Sequence, residues 1–174
     1  MTVHRSGVGQ HHLPVTDRTP ARRSVGTSCA FLRCKTKRAP IIVGPDERYC
    51  DKHATRIADG AFGDHVRTRD PRCVACGRDD IGVQCAHVVT RGARFIRWDA
   101  ENAVGLCARC HFAYTKRPAA WLAFVEREYP GRLQRLLRRE NHGERIGGSV
   151  DVAEVIRGYR AGVAWSWPDP PPVA

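Results

Sequence analysis

From Asp51 to Arg69 the apolar positions Ile57, Ala61 and Val66 recur at helical spacing and predict a helix. Gly60 and Gly63 each cost that helix about 1 kcal/mol relative to alanine. Val83-Gln84-Cys85-Ala86-His87-Val88-Val89 is rich in β-branched and small apolar residues and reads as a strand, with Ala103-Val104-Gly105-Leu106 as a second, shorter one. Residues 90–101 between them form a basic loop carrying Arg91, Arg94, Arg97 and Trp98. A helix over 108–116 follows. Pro118 suits the first turn of the next helix, in which Trp121, Leu122, Phe124, Val125 and Tyr129 keep helical spacing until Pro130-Gly131 breaks it. Arg132, Arg135 and Arg139 then share one helical face, expected to be solvated, while Leu133, Leu136 and Leu137 point elsewhere. Beyond Gly147-Gly148, Val152, Val155, Ile156 and Tyr159 mark a last short helix beginning near Asp151.

The flanks carry no such pattern. Residues 1–28 lack apolar periodicity and are expected to be a disordered basic arm, and Pro168-Asp169-Pro170-Pro171-Pro172 continues neither helix nor central strand. Packed structure is expected to end near Trp167. The fold class expected is a small α+β domain. Lys plus Arg number 29 against 18 Asp plus Glu, a formal net charge of +11, which favours a polyanionic partner without naming one. No run of about eighteen apolar residues appears, and the N-terminus lacks a secretory apolar core, so no membrane association and an intracellular location are expected.

Eight cysteines sharpen this picture. Tight Cys-x-x-Cys pairs without an export signal suit metal thiolates in a reducing compartment better than disulfides. Cys73, Cys76, Cys107 and Cys110 would close a structural zinc site with no open position for water. Cys29, Cys34, Cys50 and His53 form a second candidate set, with the turn Gly44-Pro45-Asp46 folding its segment back. Cys85 stands outside both and is expected to pack as a small apolar residue.

His111 adjoins Cys110, and successive helical residues point about 100° apart, so the two are not expected to share an ion. His87 alone would read as a core histidine, and Asn102 alone as a turn residue. Together His87, Asn102 and His111 sit in a strand, loop, strand, helix frame, the first two between the two cysteine pairs and His111 directly after the second. The segments Arg69-Asp70-Pro71-Arg72-Cys73-Val74-Ala75-Cys76-Gly77, Ala86-His87-Val88-Val89, Arg97-Trp98-Asp99-Ala100-Glu101-Asn102 and Leu106-Cys107-Ala108-Arg109-Cys110-His111 resemble the HNH (His-Asn-His) endonucleases. The resemblance covers roughly residues 65 to 125. Upstream, Arg48-Tyr49-Cys50-Asp51-Lys52-His53-Ala54 is similar to the extra zinc knuckle of some phage-encoded members.

The resemblance implies a zinc-stapled ββα-metal core with flanking helices and DNA phosphodiester hydrolysis as the activity. It makes His87 the general base, Asn102 its orienting partner and His111 a ligand of a catalytic divalent ion: magnesium, manganese, nickel or zinc. An acidic residue commonly precedes the base in this family, and here it is Ala86. Asp99 or Glu101 is then a candidate oxygen ligand. Arg72, Arg91, Arg94 and Arg97 are expected to contact DNA phosphates. The organisation expected is a basic arm (1–28), a zinc knuckle with connecting helix (29–64), a nuclease core (65–125), a helical extension (126–167) and a Pro-rich tail (168–174). If phage-encoded, such a protein would act in the cytoplasm of a bacterial host. A non-catalytic zinc protein that binds nucleic acid, or an accessory to phage DNA-packaging proteins, is the alternative, and Ala86 favours it.

Overall fold

The computed structural model describes residues 28–31 and 33–172, so all of the expected arm but Ser28 lies outside the described residues. A short hairpin comes first, β1 (Ile41–Gly44) antiparallel to β2 (Glu47–Tyr49), closed by the turn expected at Gly44-Pro45-Asp46. The nineteen-residue helix α1 (Asp51–Arg69) follows. Its Ala54, Ile57, Ala58, Phe62 and Val66 recur at three and four residues and are buried, so one apolar stripe explains the element. The expected boundary at 64/65 falls inside this unbroken helix.

A second antiparallel pair, β3 (Val83–His87) and β4 (Ala103–Cys107), holds His87 opposite Ala103 and Val83 opposite Cys107. All of β4 is buried. At Gly105 the end of α1 comes so near that an added Cβ would stand 2.7 Å from Asp70 Cβ. Glycine is needed there for close approach rather than for an unusual φ. Helix α2 (Ala108–Thr115) begins immediately after β4, so the expected strand, loop, strand, helix order is present. Helices α3 (Pro118–Glu128), α4 (Arg132–Arg145) and α5 (Val152–Arg160) complete the small α+β fold. Asp151 caps α5 through its carboxylate, which accepts from the amides of Ala153 and Glu154.

Three apolar clusters hold these pieces. The largest joins the hairpin, α1 and α5 through Tyr49, Ile57, Phe62, Val66, Trp98, Val155, Ile156 and Tyr159. A small one, Cys73, Val83, Ala86, Val104, Leu106 and Cys107, lies beneath the first Cys-x-x-Cys pair. The third brings Phe124, Val125 and Leu136 of the C-terminal helices against Val88 and Ile96 of the loop.

The expected solvated arginine face of α4 is different in the structure. Arg139 is only 8% exposed and its guanidinium meets Asp99, Glu101 and Asp169, while Arg135 pairs with Glu101 at 2.8 Å. Acids distant in sequence neutralise this face, and α4 docks on the β3–β4 loop through it. Glu140 strengthens the dock by accepting from the amides of Arg94, Phe95 and Ile96. The C-terminal segment straps the same loop: Trp165 accepts from the Ala100 amide, and Asp99 accepts from Ser166 Oγ and the Trp167 amide. Ordered contacts thus reach Asp169, slightly past the expected end. Among the described residues, no helix is long and apolar enough to cross a membrane.

Candidate metal centres and histidine cleft

Each cysteine group is brought together as expected. In Cys73, Cys76, Cys107, Cys110 and in Cys29, Cys34, Cys50, His53, all ligand atoms lie within 4.8 Å of one another. Cys76 Sγ and Cys107 Sγ are 3.9 Å apart, and Cys34 Sγ and Cys50 Sγ 4.0 Å. A tetrahedral ion with Zn–S bonds near 2.3 Å separates its sulfurs by about 3.8 Å, whereas a disulfide holds them near 2.05 Å. His53 Nδ1 stands 3.2 Å from Cys50 Sγ and 3.5 Å from Cys29 Sγ, close to the separation of roughly 3.5 Å that mixed S and N ligation needs. Burial, with Lys52 and Arg56 nearby, lowers the His53 pKa and keeps a neutral, ligating imidazole. Both groups can hold a zinc ion.

Backbone geometry serves the first centre. Gly77, at φ +73°, completes the turn in which its amide donates to the Cys73 carbonyl at 2.7 Å. The Val74 amide donates to Gly105 O at 3.0 Å and ties this knuckle to β4. Cys107 ends β4 and caps α2 by accepting from the Cys110 amide. An ion here would therefore fix both strands and the start of α2.

Beside it, His87 and His111 line one cleft of about 310 Å³ with Gln84, Cys85, Arg91 and the α1 residues Asp59, Phe62, Gly63 and Arg67. His87 Nε2 lies 3.2 Å from the Arg97 carbonyl oxygen. A carbonyl can only accept, so Nε2 carries the proton and Nδ1 keeps a free lone pair. His111 Nδ1 is 2.8 Å from Gln84 Oε1, which by the same logic leaves His111 Nε2 as an acceptor or ligand. Burial, assisted by Arg91, lowers the His87 pKa to about 4, and the same two causes lower that of His111. Both rings are neutral near pH 7.

Because the folded His87 pKa lies below the ordinary 6.5, the unfolded chain takes up the proton first. The stabilising contribution of neutral His87 is complete above about pH 6.5 and declines as pH falls toward 4. Ring NMR of the zinc-loaded protein between pH 5 and 7.5 should show His87 untitrated. A midpoint near 6.5 would contradict its buried setting.

Asn102 is not hydrogen-bonded to His87. Its Oδ1 accepts from the Val89 amide at 2.7 Å and its Nδ2 donates to Ile96 O at 2.8 Å, so it pins both ends of the loop whose Arg97 carbonyl holds His87. Orientation of the imidazole by Asn102 is therefore indirect. Asp99 is not brought to the cleft: it is fully buried beside Arg139, 3.2 Å away, and accepts from the amides of Glu101 and Trp167. Glu101 is likewise engaged with Arg135 and Arg139.

Of the four arginines, Arg91 alone lines the cleft. Arg72 pairs with Asp79 at 3.4 Å, and Arg94 lies over the Phe95 ring. Arg97 makes a two-pronged bond to Asp59, at 3.0 and 2.7 Å, that is joined by Trp98 Nε1 at 2.8 Å. Burial raises the Asp59 carboxyl, but these bonds outweigh it and hold the pKa below the usual range. Asp59 and Gln84 carry no sequence signal as cleft residues, whereas Arg67 belongs to the positive run Arg67, Arg69 and Arg72 that leads into Cys73. Gln84 lies in the strand read from Val83 to Val89, three residues before His87. Asp59→Ala should leave Arg97 and the Trp98 indole without their acceptor and cost about 2–3 kcal/mol, read as a lowered urea midpoint. An unchanged midpoint would mean the pair holds nothing.

Comparison with family models, with curated proteins and with solved structures finds no match.

Proposed function

We propose that this chain is a metal-dependent HNH-type endonuclease that hydrolyses DNA phosphodiester bonds, with structural zinc in both cysteine centres. The observation that carries the reading is the cleft in which two neutral imidazoles each keep one nitrogen free because the other is held, His87 by the Arg97 carbonyl and His111 by Gln84. Phosphodiesters resist hydrolysis because the anionic phosphate repels nucleophiles and the alkoxide leaves poorly. His87 Nδ1 would take a proton from water as the water oxygen bonds to phosphorus and the bond to the leaving oxygen breaks. Arg91 would hold the phosphate through charge-assisted hydrogen bonds. A divalent ion held partly by His111 would supply charge stabilisation at the phosphate and leaving oxygen, and an imidazole with oxygen donors suits magnesium, manganese, nickel or zinc. Asn102 keeps the loop in register, and the cysteine centre keeps both strands and α2 in register.

A second reading has its own support. Ala86 offers no carboxylate, and among the described residues the cysteine groups are the clusters of three or more potential ligands drawn together. A non-catalytic zinc protein that binds DNA, or an accessory to phage DNA-packaging proteins, would need no more. The two readings separate on supercoiled plasmid. The zinc-loaded wild type should produce open-circular or linear DNA only when magnesium, manganese or nickel is added. DNA binding without nicking under any of these metals would favour the second reading.

A further inference from the structure

Helix α2 turns one face inward and leaves the other without a packing partner among the described residues. Cys110 and Tyr114 look inward, Tyr114 meeting the Trp121 and Phe124 rings with centroids 5.2 Å away in each case. Arg109, Phe112 and Lys116 fall within about 60° of one another at helical spacing, roughly opposite that inner side. All three are exposed, Phe112 by 65%, the most exposed large apolar residue among those described. Lys116 Nζ sits 5.4 Å from the Phe112 ring centroid. The helix carries no acidic residue, and its His111 lines the cleft next to this face.

An exposed apolar ring is unfavourable in water, and a protein contact would call for further apolar neighbours. Phe112 is flanked by cations instead. An aromatic platform between positive charges matches the chemistry of an unpaired nucleotide, whose base stacks on the ring while its phosphates meet the cations. A fully paired duplex keeps its base faces stacked on one another and offers the ring nothing comparable. We infer that the Arg109–Phe112–Lys116 face of α2 is a stacking platform for an unpaired base, so that the cleft beside it takes single-stranded DNA, or the single-stranded part of a branched one, in preference to duplex. This rests on the nuclease reading of the same site and names its substrate class.

The test measures fluorescence anisotropy of the full zinc-loaded chain with a fluorescein-labelled oligonucleotide, single-stranded or annealed, without added catalytic metal. The wild type should bind the single strand more tightly. Phe112→Ala should weaken single-strand binding about tenfold or more and so narrow the ratio of the two Kd values, whereas Phe112→Trp should preserve that ratio. The ring's exposure means that neither substitution empties the core, and equal zinc content of the variants checks this. Duplex preference in the wild type, or an unchanged ratio in Phe112→Ala, would overturn the inference. So would sedimentation showing that Phe112 instead joins two copies of the chain. Failure of the nuclease reading would register separately, as absent metal-dependent nicking by the wild type.

Discussion

Cys107→Ser should cost the chain one zinc ion and unfold β3, β4 and α2 together. Cys107 is 1% exposed, ends β4, caps α2 and lies 3.9 Å from Cys76 across the proposed ion. Serine has no thiolate to offer and its hydroxyl stays protonated at neutral pH, and structural zinc contributes roughly 10–16 kcal/mol of apparent folding free energy in zinc-finger peptides. The buried apolar cluster beneath this centre is small: its largest fully buried member is Leu106, two of its members are the ligands Cys73 and Cys107, and Tyr114, Trp121 and Tyr129 pack against it only as partly buried side chains. Metal analysis should find one zinc fewer per chain, and hydrogen exchange should find the amides of 103–115 unprotected. Cys85→Ser is the matched control, because Cys85 belongs to neither group and should keep both ions. A Cys107→Ser protein with full zinc and undiminished protection would mean that the thiolates are not a clamp.

The elements that sequence predicted well are those whose signal is local. Helix α1 spans Asp51–Arg69 as its apolar stripe predicts, Pro118 opens α3, and Asp151 caps α5. The cysteine groups were readable for the same reason, since ligand spacing is local chemistry repeated. Strand β3 stops at His87 rather than Val89, because Val88 and Val89 turn their amides to Asn102. That exchange is tertiary and leaves no trace in β-propensity. The short hairpin was missed as a pair of strands, although its turn was recognised.

Long-range electrostatics account for the remaining differences. Arg97 looked like a phosphate contact because a loop arginine has no visible partner in sequence, yet Asp59, on a different element, binds it in two places. Asp99 is a candidate ligand in sequence because Ala86 stands where the family commonly has an acidic residue. The strap from 165 to 169 and the α4 arginine instead draw it into the interior. His87 and His111, both singled out in sequence, line one cleft, but the Arg97 carbonyl and Gln84 that hold one nitrogen of each ring become visible only in three dimensions.

His87→Ala should remove the proposed proton acceptor while leaving the proposed zinc clamp whole. General-base catalysis by a placed imidazole contributes typically 10²–10⁴-fold, so the nicking rate should fall by about that factor. His87 belongs to neither cysteine group, and the variant should therefore bind as much zinc as the wild type. Its ring packs against Phe62 with centroids 5.5 Å apart, so alanine removes some packing, and the comparison belongs well below the variant's melting temperature. The decisive measurement is the single-turnover nicking rate of supercoiled plasmid under saturating manganese, for wild type and His87→Ala of equal zinc content. General-base catalysis by His87 requires metal-dependent nicking by the wild type and a loss of about a hundredfold or more in the variant. Equal rates in the two proteins, or no nicking by the wild type, would contradict it.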